Sequence, residues 1–128
     1  MDNSQTNTNL QDGNKKPYDL EERSLLYAKD VRTFVRKLPR SISNGEDVKQ
    51  LVRASGSVGA NYIEANEALS KKDAKHRLRI ARKEAKESRY WLKLVWTNDD
   101  FELDAERYEL IQEATELLQI LSAMINKT

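Results

Sequence analysis

Cysteine is absent from this sequence of 128 residues. Its absence excludes disulfides, a thiol nucleophile and thiolate metal sites. There is one histidine, His76, set between Lys75 and Arg77. A single histidine among cations reads as solvated, and without cysteine a nucleophile–base pair is hard to build. A di-iron bundle needs two Glu-x-x-His motifs and two further glutamates. The chain offers only Asp73-x-x-His76. A glycine-rich phosphate loop and zinc-ligand spacing are also missing. The sequence therefore predicts no cofactor, no metal and no enzymatic activity.

Proline occurs only at Pro17 and Pro39, and there are four glycines. So few breakers, with charged residues at 34%, predict long helices. No stretch approaches the ~20 apolar residues of a membrane span, and no apolar run follows a basic start as in a signal peptide. These absences, with that of cysteine, fit a cytoplasmic protein. The first residues are nearly all polar or charged, with Met1 and Leu10 the large apolar exceptions. Such a segment buries too little to offset its ordering entropy. Residues 1–17 are expected to form a disordered tail, followed by one domain over residues 18–128.

What is present is helical periodicity, repeated four times. The first helix is expected from Asp19, with Glu22 completing a capping box. Tyr27, Val31, Phe34, Val35 and Leu38 recur at helical spacing until Pro39. The second is expected after Ser43, which makes a Ser-x-x-Glu box with Glu46. Its face reads Val48, Leu51, Val52, Ser55, Val58, Gly59, Tyr62 and Asn66. Gly56 and Gly59 each weaken a helix by about 1 kcal/mol relative to alanine, so close approach by a neighbour is the expected reason for them.

The third helix is expected after Ser70, with a seam of Ala74, Leu78, Ala81, Ala85, Ser88, Leu92 and Val95. The fourth is expected from Asp104, with a seam of Tyr108, Ile111, Ala114, Thr115, Leu118, Leu121 and Ile125. Short connections make an all-α, antiparallel up-down-up-down four-helix bundle. Beyond the seams lie Ile80, Trp91 and Leu94 on the third helix and Leu110, Leu117 and Met124 on the fourth. This surplus width has two readings: a surface for a second subunit, or a second seam within the bundle.

Charge is segregated. Residues 70–96 carry ten basic and three acidic groups; residues 97–128 carry two and eight. On the third helix, Lys75, Arg79, Arg82, Lys86, Arg89 and Lys93 step by four and three. This stripe runs about 27 Å at 1.5 Å per residue, enough to meet several backbone phosphates. On the fourth helix, Glu102, Glu106, Glu109, Glu113 and Glu116 repeat with the same spacing. Level matching would join Lys93 to Glu102, Arg89 to Glu106, Lys86 to Glu109, Arg82 to Glu113 and Arg79 to Glu116. Helical angles lean the two stripes to opposite sides, which weighs against such a ladder in one subunit. The readings left open are a nucleic-acid surface, pairing within or between subunits, and a solvated face. Asn61 and Glu64 share a face of the second helix, level with Arg77. A Glu64–Arg77 pair that fixes register is the expected role of this trio.

Several of these residues form a wider pattern. The run Phe34-Val35-Arg36-Lys37-Leu38-Pro39, then Glu46-Asp47, Ala60-Asn61-x-x-Glu64 and Ser70, with Ile80-Ala81 to Glu87 and Leu92, resembles the four-helix-bundle family encoded in intervening sequences of bacterial 23S ribosomal RNA genes. The resemblance covers about residues 18–125. It implies an up-down bundle assembling as a ring, a homopentamer. The family is related to accessory proteins of diversity-generating retroelements, which bind nucleic acid and a reverse transcriptase. RNA or another nucleic acid, a second copy of the chain and a protein partner are thus the implied partners. After Glu64 the sequence departs from the usual glycine-containing segment, reading Ala65-Asn66-Glu67-Ala68-Leu69.

Overall fold

In a computed structural model, residues 19–128 are described. The expected tail over residues 1–17 lies outside the described residues. Four helices follow in order: α1 (Leu20–Val35), α2 (Ile42–Asn66), α3 (Lys71–Leu94) and α4 (Phe101–Lys127). The backbone of α1 packs on α2 and α4, and α3 packs on α2 and α4, with the diagonal pairs apart. This is the antiparallel up-down-up-down bundle that the periodicity predicts.

Each helix begins at a side-chain cap that takes up one of the orphan backbone N–H groups. Asp19 accepts from the Glu21 amide and Ser70 from the Asp73 amide, as read from the sequence. Two starts differ. The cap of α2 is Ser41, which accepts from the Asn44 amide, and Ser43 lies inside the helix. The cap of α4 is Asp100, which accepts from the Leu103 amide. Asp104, expected as that cap, instead accepts a 2.6 Å hydrogen bond from the Thr97 hydroxyl and a 2.9 Å bond from Arg107. The α3–α4 turn explains the shift. Asn98 and Asp99 both adopt left-handed backbone, with φ of 58° and 59°. That conformation, which these two residue types tolerate, reverses the chain early. Helix α1 ends at Val35, before Pro39, because the chain tightens into a turn over residues 36–38.

The core is built as the spacing predicts for α1 and α3: Tyr27, Val31 and Phe34 from one, Leu78, Ala81, Ala85 and Leu92 from the other. On α2 the line shifts, with Leu51, Ala54, Ser55, Val58 and Ala65 buried and Asn66 exposed. On α4 the line is Leu103, Leu110, Ala114, Leu117, Leu121 and Ile125. Leu110 and Leu117, counted as candidates for an oligomer surface, are therefore core residues. Tyr108, expected in the seam, is exposed. The reason is that α4 touches two neighbours, so the residues that point at the bundle axis are those between its two flanks. Trp91 and Met124 are half-buried against the same core and Ile80 is half-buried, leaving Leu94 as the one exposed member of that candidate set. Leu110 and Leu117 thus belong to a second seam within the bundle.

Tyr27 spans the diagonal. Its hydroxyl lies 2.7 Å from Ser88 Oγ, which itself donates to the Ala85 carbonyl at 2.9 Å. Ser88 has one proton, already committed, so Tyr27 is the donor of the buried bond. Burial raises the tyrosine pKa further above its ordinary value. Across the α1–α2 contact, Gly59 faces Ser24. A β-carbon at residue 59 would sit 2.8 Å from Ser24 Oγ. This is the close approach expected from the glycine pair.

Candidate nucleic-acid interface

The basic stripe lies along α3 as expected, and the geometry around it differs from the ladder. Three of the five acidic groups of the α4 stripe turn to α1 and the turn after it. Arg23 donates to both oxygens of Glu113, at 2.7 and 2.9 Å, and to Glu116 at 2.6 Å. Lys37 meets Glu106 at 2.7 Å. These bonds hold Arg23 even more firmly protonated than usual, Glu113 contributing most. None of the five level-matched α3–α4 ion pairs forms. The cause is the one that the helical angles imply: the acidic face of α4 flanks α1, and the basic face of α3 points away from it.

Among the described residues, none of Lys75, Arg79, Arg82, Lys86, Arg89 and Lys93 makes an ion pair. Two of them are nevertheless fixed. Arg89 donates to the Thr115 hydroxyl at 3.1 Å, and Arg82 reaches Ser122 Oγ at 3.4 Å. A neutral hydroxyl orients a guanidinium without cancelling its charge. Arg79, Arg82, Lys83, Lys86 and Arg89 line an open groove of about 480 Å³, floored on the α4 side by Leu118 and Ser122. The result is a cationic trough with two oriented guanidiniums, suited to phosphate oxygens.

The α2–α3 flank carries the other polar groups. Arg77 donates to Asn61 Oδ1 at 3.3 Å, and Asn61 in turn donates to the Ser57 carbonyl. Glu64 is exposed and does not pair with Arg77, so the expected trio reduces to a pair. Glu64 sits one turn beyond Asn61 on a helix face that has already turned outward. Deeper in, Arg53 lies 3.5 Å from both Glu84 and Glu87. Glu84 is buried, and its Oε1 has no hydrogen-bond partner. His76 is exposed, and the described residues hold no group of three or more acidic, histidine or cysteine side chains that could bind a metal.

The sequence reading missed Arg23 and Lys37. Arg23 lies on α1 and Lys37 in the turn that follows it. The bonding of Asn44 carries no periodic signal.

The sequence pattern of the 23S rRNA-intervening sequence protein family matches residues 16–125. The chain belongs to this family. A solved structure from Bacteroides thetaiotaomicron VPI-5482, described as a protein of unknown function from the S23 ribosomal protein family, is similar to it. The two share 28% identity, with a TM-score of 0.70 over 84% of this chain and 98% of that one. No protein with a curated description matches at a comparable level. The family pattern spans all four helices, so the bundle and its α3 trough both lie within it. No described helix is long and apolar enough to cross a membrane.

Proposed function

We propose that this member of the 23S rRNA-intervening sequence protein family is a non-enzymatic, homo-oligomeric bundle that binds RNA through the basic stripe of α3. One observation carries the reading. Three of the five glutamates of the α4 stripe, Glu106, Glu113 and Glu116, are engaged with Lys37 and Arg23, and the six cations in a row lack acidic partners among the described residues. Phosphate contact would release counterions, and affinity would fall with salt.

The test is a titration of structured RNA at two or more salt concentrations, with the particle mass read by light scattering. Wild type is expected to bind as an oligomer, with an affinity that falls as salt rises. Reversing Arg82, Lys86 and Arg89 to glutamate is expected to remove binding at near-physiological salt and leave the mass unchanged. Loss of the oligomer in that variant, with no RNA binding by wild type, would instead make this an assembly or adaptor protein. The assembly reading draws on a separate observation. Leu25 and Ile63 stand exposed beside a groove of about 290 Å³ between α1 and α2, an apolar surface that a second copy could cover.

A further inference from the structure

The exposed aromatic side chains of the described residues are gathered at one end of the bundle. Tyr27 and Phe34 are buried, and Tyr62 and Trp91 are half-buried. Tyr90, Trp96, Phe101 and Tyr108 are exposed, and all lie within the last turns of α3, the turn after it and the first two turns of α4. Phe101 stands between Asp100 and Glu102, and Tyr108 precedes Glu109, so these two rings share their surface with acids. Tyr90 lies on the basic helix and Trp96 in the turn that follows it.

Tyr90 is set among cations. On α3 it follows Lys86 by four residues and precedes Lys93 by three, which puts all three on one face. The residue is 57% exposed. It is also held in place: the Trp91 ring, anchored against the core, meets it edge-on at 5.1 Å with planes 78° apart. Trp96 is mounted differently. Asn44 accepts from its backbone N–H at 2.8 Å and donates to its carbonyl at 2.9 Å. Arg107 holds the preceding carbonyl, that of Val95, at 2.6 Å. The segment is thus pinned while the indole remains 47% exposed. Large apolar rings kept out of the core, on fixed mounts, at the end of a row of cations without acidic partners among the described residues, are the parts of a stacking platform.

We propose that the α3 surface takes an unpaired RNA strand, whose phosphates follow the stripe from Arg79 to Lys93 while Tyr90 and Trp96 stack its bases. The charge complementarity and the rings select this occupant together. A duplex satisfies the cations but hides its base faces, so fixed rings gain nothing from it. A single strand offers both phosphates and free π-faces. The proposal rests on the RNA-binding reading above and adds the class of strand.

The experiment compares a twelve-nucleotide oligouridylate with a blunt RNA duplex of twelve base pairs, using the full chain at one fixed salt concentration. Wild type should prefer the single strand. Tyr90→Ala should weaken single-strand binding about tenfold, leave duplex binding unchanged, and be rescued by Tyr90→Phe. Tryptophan emission should be quenched on binding the single strand, and Trp96→Phe should abolish most of the quench. Arg89→Glu should weaken both ligands. Equal binding of both RNAs with no effect of Tyr90→Ala would overturn the stacking proposal and leave the phosphate-binding reading standing. Binding of neither RNA by wild type would remove both. A fall in particle mass in Tyr90→Ala, with single-strand affinity unchanged, would assign the rings to a protein interface and overturn the proposal.

Discussion

Asn44 shows how much one side chain can fix. Its amide donates to the Pro39 carbonyl at 2.8 Å and to the Trp96 carbonyl, and its oxygen accepts from the Trp96 N–H. Both amide hydrogens and the acceptor are used, and the residue is buried. The loop between α1 and α2 is thereby tied to the turn between α3 and α4. Asn44→Ala leaves these partly buried backbone groups without their partner, and each such loss costs about 1–3 kcal/mol. Urea unfolding of the variant should show a loss of about 2–3 kcal/mol. Asp30 makes an opposite case. Desolvation, then Glu113 and Glu106, push its carboxyl above the ordinary value of 3.8. The folded chain therefore binds this proton more readily than the unfolded one. Its contribution favours folding below pH 3.8 and is lost as pH rises through the raised value. Asp30→Asn should unfold at higher urea than wild type at pH 7, with the gap closing in acid.

Among the elements, the α1–α2 contact is the tightest to reason about. Ser24 Oγ donates to the Glu21 carbonyl at 3.0 Å and stands where a β-carbon of residue 59 would go. Gly59→Ala gains about 1 kcal/mol of helix propensity, set against an overpacking penalty of about 1–3 kcal/mol. It should destabilise the wild-type chain. In a Ser24→Ala background the nearest clash is gone, and the next atom, Ser24 Cβ, is at 3.4 Å. There the same change should stabilise. A double-mutant cycle by thermal or urea unfolding reads the sign reversal directly. The element boundaries show what local signals could reveal. Asp19 and Ser70 were legible as caps because they stand alone before a periodic run. Ser43 misled because Ser41 offers the same chemistry two residues earlier, and Asp104 misled because Asp100 does so four residues earlier. Periodicity placed the seams of α1 and α3. It misjudged α4, whose two contact faces merge into one broad apolar arc.

For the whole molecule, the pairing of charged faces matters most. Arg23, only 13% exposed, bridges α1 to two glutamates of α4 with three hydrogen bonds. Charge-assisted bonds of this partly buried kind contribute about 1.5–3 kcal/mol. Arg23→Ala should lower stability by an amount in that range, whereas Lys86→Ala or Lys93→Ala, on an exposed face, should change it by no more than about 0.5 kcal/mol. Such a contrast in chemical unfolding would confirm that the α4 acids stabilise the bundle through α1 while the α3 cations stabilise little. Residues that add charge without stability are the ones open to a ligand.

The sequence by itself determined the helices, their number, their antiparallel order and the family, because caps and a 3.6-residue period are local properties that each segment carries alone. It also determined that six cations share one face of α3. Only the tertiary structure decided which neighbour each charged face meets. That depends on the rotation of every helix about its own axis, which is set by packing all four against one core. The α4 glutamates were thereby turned toward Arg23 and Lys37, and the α3 stripe was left facing outward beside Tyr90.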